Sequence, residues 1–174
     1  MFGWVLKIID RIFAVIGALL FSQLPLYMLY YTQQLQGHVA ELKLQVDAMG
    51  HAAAQTGKSL HQYVLKFLSS TDADFNSQGH FMQGMIDRFD SLSTGLQALH
   101  NASVWERPYV FFKYFNIEIA KSTWSHYKVG VPLSFEGAIY ALFGILAGLA
   151  LFFLLKRLLS AALSPWMAPA PIVD

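Results

Sequence analysis

Two long apolar runs, one near each end of the chain, constrain the fold more than any other feature. The first extends from Ile12 to Tyr31 and the second from Leu133 to Leu155. Each is about the length needed to cross a hydrocarbon core. Only 13% of the 174 residues are charged, against about 25% in an ordinary soluble domain. Removing half of the polar coat implies a second apolar solvent. The chain therefore reads as an all-α membrane protein with two transmembrane helices. A net charge of +1 offers nothing to attract nucleic acid. With no cysteine, disulfides, thiolate metal sites and a cysteine nucleophile are excluded.

The layout this predicts is a cytoplasmic N-terminus over 1–11, a first span over 12–32 and an extracytoplasmic antiparallel helical hairpin over 33–104. An aromatic interfacial segment over 105–131, a second span over 132–155 and a cytoplasmic tail over 156–174 complete it. Lys7, Asp10 and Arg11 precede the first run, as charges precede the apolar part of a signal peptide. The run nevertheless continues through Gln23 and Pro25 to Tyr27, Tyr30 and Tyr31, with no small-x-small cleavage site. An uncleaved anchor with a tyrosine belt at the interface is the reading taken. Lys7 and Arg11 flank one span, and Lys156 and Arg157 the other, on the sides away from the loop. The positive-inside rule then puts both termini in the cytoplasm and the central region outside it, in the periplasm of a bacterium.

Both runs carry small residues at helical spacing: Ala14, Ala18 and Ser22 in the first, and Gly137, Ala141, Gly144 and Gly148 in the second. Small residues let helix backbones approach closely in lipid. Two readings are open: the stripes bind another chain, or they pack on each other within this one.

Leu35, Val39, Leu42, Val46, Met49 and Ala53 alternate spacings of four and three, a heptad seam. Traced backward, the seam meets Tyr31, Met28 and Leu24, so the first span is expected to continue beyond the membrane as one helix. Gly50 and Gly57 are its weak points. Ser69-Ser70-Thr71-Asp72 reads as a turn with a helix cap. A second seam follows through Phe75, Met82, Met85, Phe89, Leu92, Leu96 and Leu99. Beyond it, Trp105, Tyr109, Phe112, Trp124 and Tyr127 crowd a segment that also holds Arg107, Lys113 and Lys121. Such a mixture fits a helix at the membrane surface; the alternative is a returning leg packed on the hairpin.

Two stretches carry a family resemblance. One is Leu24-Pro25 with Tyr30 through Glu41; the other is Ile119 through Trp124 with Val131 through Ala141. They resemble a family of small proteobacterial inner-membrane proteins known as a domain of unknown function. The resemblance implies a bacterial two-span protein and supplies no activity or residue roles.

Candidate chemistry is sparse. His38 and Glu41 share a helix face, but helical di-iron sites use Glu-x-x-His twice with further glutamates, and this chain has the reverse order once. His61 and His80, with Asp74, would meet if the hairpin turned near Asp72, giving a zinc site or pH sensor. Exposed histidines are the plainer reading. Glu136 stands one turn into the second span, where an acid is costly and often functional; helix N-termini also favour acids. No phosphate loop, HExxH or nucleophile elbow is present. The expected function is a non-enzymatic membrane accessory or scaffold subunit, with no cofactor, associating with a membrane protein partner or itself through its small-residue faces and hairpin. The alternatives are a sensor module with a separate output partner and a homo-oligomeric channel.

Overall fold

The structure, a computed structural model, describes residues 3–163. Six helices and no strand occur among them: α1 Gly3–Gln55, α2 Leu60–Leu68, α3 Ala73–Asn101, α4 Arg107–Lys113, α5 Ile117–His126 and α6 Phe135–Leu163. The proline-rich end of the expected tail lies outside the described residues. Helices α1 and α6 are each long and apolar enough to cross a membrane. Only 22% and 17% of the residues in their most apolar stretches are buried. The core helix of a soluble domain is mostly buried, and within this chain these two are not.

Each break between helices has a local chemical cause. Helix α1 continues through Pro25 and Gly50 and stops at Gln55. The turn that follows contains Gly57 at φ +69°, left-handed backbone that glycine adopts without a Cβ penalty. Ser59 then opens α2 with a reciprocal capping box: its hydroxyl accepts the Gln62 N–H, and the Gln62 side chain accepts the Ser59 N–H. Asp72 caps α3 by accepting the N–H groups of Asp74 and Phe75. Asn116 does the same for α5 through Glu118 and Ile119. Before α4, the Glu106 carboxylate accepts both the N–H and the hydroxyl of Ser103. Ser134 accepts the Gly137 N–H in the first turn of α6.

The chain divides into two compact units, one of residues 1–27 with 128–174 and one of residues 28–127. In the first, α1 and α6 meet backbone to backbone. A Cβ at Gly17 would collide with the Gly144 carbonyl, one at Gly144 with the Gly17 carbonyl, and one at Gly148 with the Phe13 carbonyl. Moving from Gly17 to Phe13 corresponds to moving from Gly144 to Gly148, so the two helices are antiparallel. The Phe13 and Phe152 rings lie 5.8 Å apart below the glycines. Gln23 adds a polar clasp in the same unit. Its amide donates to the Gly130 carbonyl (2.9 Å) and accepts the Gly130 N–H (3.3 Å), so both backbone polar groups of one residue are paired by one side chain.

The second unit is built around Tyr31, which is fully buried. Its ring meets Phe111 edge-on at 4.9 Å and stacks on Phe115 at 6.0 Å. Its hydroxyl accepts the Asn116 N–H at 2.9 Å and donates to the Tyr114 carbonyl at 3.4 Å. Met28, Leu35, Ala53, Val64, Met82, Leu92, Leu99, Ile119, Ala120 and Thr123 are buried in the same unit. Helices α2 and α3 come into near contact at Gly79, where a Cβ would lie 2.6 Å from the Leu68 nitrogen. The Asn76 side chain donates to the Leu68 carbonyl, closing the turn between them.

One expectation changes here. Tyr31 is not part of an interfacial belt; its phenol satisfies two backbone groups inside the core of the second unit, where burial without them would be costly. Of the two readings of the aromatic segment, the returning leg describes Phe111, Ile119, Ala120 and Thr123, which are buried in the same unit as the helices before it. The first arm ends at one of its two weak points: α1 stops at Gln55 and the chain turns over 56–59, where Gly57 is left-handed.

Candidate functional site

The small residues expected to mediate association divide by position. Gly144 and Gly148 are buried against Gly17, Phe13 and Ala14 of the same chain. Ser22 is buried too, with its hydroxyl donating to the Leu19 carbonyl at 2.9 Å, while Ala18 and Ala141 are half-buried. Gly137 is occupied locally, since a Cβ there would meet Pro132. The central part of the stripe is therefore spent within one chain and is not open to a partner span. Gly17 was missing from the sequence-level stripe, although it sits between Ala14 and Ala18 on the same helix face.

The aromatic segment presents two faces. Phe111 points into the unit beside Tyr31, while Trp105, Tyr109 and Phe112, spaced four and three, are each about 70% exposed. Trp124 is exposed to the same degree and stacks on Tyr127 at 6.0 Å, and Tyr127 meets Tyr30 edge-on at 5.7 Å. The inward face fits the returning-leg reading, and the outward face is an exposed aromatic surface. Lys113 and Lys121 are exposed along the same stretch, and the Arg88–Glu118 pair (3.0 Å) joins α3 to α5.

A second surface lies where α2 turns into α3. Lys66, Phe67, Ser70 and Phe75 line a pocket of about 270 Å³. Phe75 and Phe67 touch at 5.8 Å, yet Phe75 remains more than half exposed, and Leu65 and Phe81 are exposed nearby in sequence. Phe75 was expected in the buried seam; instead α3 buries its interior face from Gly79 onward, through Met82, Leu92, Gly95 and Leu99.

The titratable candidates do not converge. His61 and His80 are exposed, and no group of three or more His, Asp or Glu side chains able to hold a metal occurs among the described residues. His38 is half-buried on α1, and Glu41 is exposed. Glu136 occupies the first turn of α6 and is half-buried. Hydrogen bonds from Ser103 hold the Glu106 carboxyl below the usual carboxylate range.

Residues 5–164 match the family described as "Protein of unknown function (DUF2937)". The chain belongs to that family. The match takes in both candidate membrane-spanning helices and the whole of the unit between them. No curated protein and no solved structure matches. The DUF2937 architecture in this chain is thus an antiparallel glycine-packed helix pair together with a helical unit whose outer surface keeps its aromatic groups uncovered.

Proposed function

We propose that this DUF2937 protein is a non-enzymatic accessory or scaffold subunit of a bacterial inner membrane. In this reading α1 and α6 cross the bilayer, both termini are cytoplasmic, and residues 28–127 form a periplasmic docking module. The exposed face of Trp105, Tyr109, Phe112 and Trp124 rests at headgroup depth, where amphipathic rings are favoured. The partner protein is engaged by the turn between α2 and α3.

The observation that carries this reading is the contrast between occupied and unoccupied association surfaces. The glycine faces are satisfied internally, whereas Phe75 stays exposed at an open pocket, and Leu65 and Phe81 are exposed on the same two helices. Exposed apolar groups rimmed by polar residues such as Lys66 and Ser70 mark interaction sites more often than chance. The docking route is accordingly the α2–α3 turn and not the small-residue stripe.

Gentle detergent extraction of tagged full-length protein, followed by native mass determination and identification of co-purifying chains, tests the proposal. A stoichiometric complex that is lost on Phe75→Ser with Phe81→Ser supports it. A homo-oligomer with no other chain, unaffected by those substitutions, rejects it.

A further inference from the structure

The N-terminal part of α1 carries a surface that the packing against α6 leaves unused. Ile8, Arg11, Ile12, Val15 and Ile16 line a groove of about 280 Å³. Their spacing of three, one, three and one places them on one helix face, and all five are exposed. The groove is otherwise apolar, and its single charged group, Arg11, lies between Ile8 and Ile12. Trp4 lies one turn beyond Ile8 on the same face and is 64% exposed. Lys7, four residues before Arg11, is exposed beside it.

We propose that this groove binds one anionic phospholipid, with an acyl chain along Ile8, Ile12, Val15 and Ile16 and the phosphate held by Arg11 and Lys7. The inference rests on the membrane reading given above. Arginine forms bidentate hydrogen bonds to phosphate, and its stem can run along apolar surface to reach a headgroup. Tryptophan at that depth matches the interfacial preference of indole. The antiparallel register adds further positive charge at the same end. Phe13 is level with Gly148, so the end of α1 that carries Lys7 is the end of α6 that carries Lys156.

Charge and shape choose lipid over a second copy. Two copies in one membrane share an orientation, so pairing through this face brings Arg11 to Arg11 and Lys7 to Lys7, which is repulsive. Close helix pairing in lipid also favours small residues, and this face is branched and bulky. A flexible acyl chain fits between such side chains, and an anionic headgroup neutralises the cations instead of opposing them.

The test uses full-length protein in nanodiscs of phosphatidylcholine with a minor fraction of phosphatidylglycerol. Lipid retained after mild detergent release is read by native mass spectrometry. Wild type is expected to retain phosphatidylglycerol in preference to phosphatidylcholine, and K7Q/R11Q to lose that preference by about fivefold for each cation removed. K156Q, outside the groove, is expected to keep most of it. Equal retention of the two lipids by wild type overturns the site. An equal fall in K156Q also overturns it, because a diffuse basic collar would then be enough. A dimer mass that depends on Arg11 assigns the face to a second copy and overturns it as well. Failure of the membrane reading shows earlier and separately, as protein that does not enter nanodiscs.

Discussion

The two units of this chain solve the same problem, holding helices together, with opposite chemistry. In the helix pair, contact is made by removing side chains: Gly17, Gly144 and Gly148 let carbonyl groups and Cα atoms touch. In the unit over 28–127, contact is made by adding them, with Tyr31, Phe111 and Phe115 interlocked and the Tyr31 hydroxyl pairing two backbone groups. In the membrane reading proposed above, the difference follows from solvent. Where lipid surrounds a helix, burying an apolar side chain gains little over leaving it in hydrocarbon, so shape and close approach decide. Where water surrounds it, each buried ring contributes by leaving that water.

The largest effect is expected at the glycine contact. Gly144→Leu puts a branched side chain into the Gly17 backbone and should destabilise the helix pair by about 3 kcal/mol or more, at the upper end of overpacking costs. Hydrogen exchange on the full-length protein in detergent should show α1 and α6 losing protection near the contact while α3 keeps its own. Parallel loss in α3 would mean that the two units unfold as one and would break the comparison.

Next come the two polar clasps, one in each unit. Tyr31→Phe leaves the Asn116 N–H and the Tyr114 carbonyl without their buried partner, at a cost of about 1–3 kcal/mol. Gln23→Leu strips the partner from both groups of Gly130 and should cost a similar amount, about 1–3 kcal/mol. Thermal unfolding of each variant in the same detergent gives the ordering. A Gln23→Leu protein as stable as wild type would show that the Gly130 peptide finds other partners and that the first unit depends on shape alone.

How far the sequence revealed these arrangements differs between the units. Apolar length alone was enough to locate α1 and α6, and the Ser69–Asp72 turn was legible because capping chemistry is local. The pairing of Gly144 with Gly17 was not legible: Ala14, Gly17, Ala18 and Ser22 all fit one face, and only the crossing geometry selects Gly17. Tyr31 misled because a tyrosine at the end of an apolar run has the same local signature whether it meets a headgroup or a distant phenylalanine. Its partners are more than 80 residues away, beyond the reach of any periodicity. The exposure of Phe75 was hidden for a related reason. It keeps the seam spacing but lies before Gly79, the first residue that α3 buries.

Helix capping gives a smaller and more local effect. Ser59→Ala removes one half of the capping box of α2 and should lower stability by about 1 kcal/mol. The loss is expected in exchange rates over 59–63, with the glycine contact unaffected. If α1 and α6 lose protection instead, the short helix is not acting locally, and the separation of the two chemistries fails.

The smallest effect concerns the link before α4. Two hydrogen bonds from Ser103 lower the Glu106 carboxyl from its ordinary value of 4.5. A carboxyl whose folded pKa lies below its unfolded one contributes stability above the unfolded value and loses it as pH falls through the folded value. Below about pH 4.5, therefore, the Ser103 amide should begin to lose protection relative to its intrinsic exchange rate, and Glu106→Gln should remove that loss. The group is fully exposed to solvent, so the change is local fraying of the turn that presents Trp105. If the Ser103 amide is equally protected on both sides of that pH, the turn is held by the Ser103 carbonyl, which accepts the Glu106 and Arg107 N–H groups. In that case the aromatic face keeps its geometry without the carboxylate.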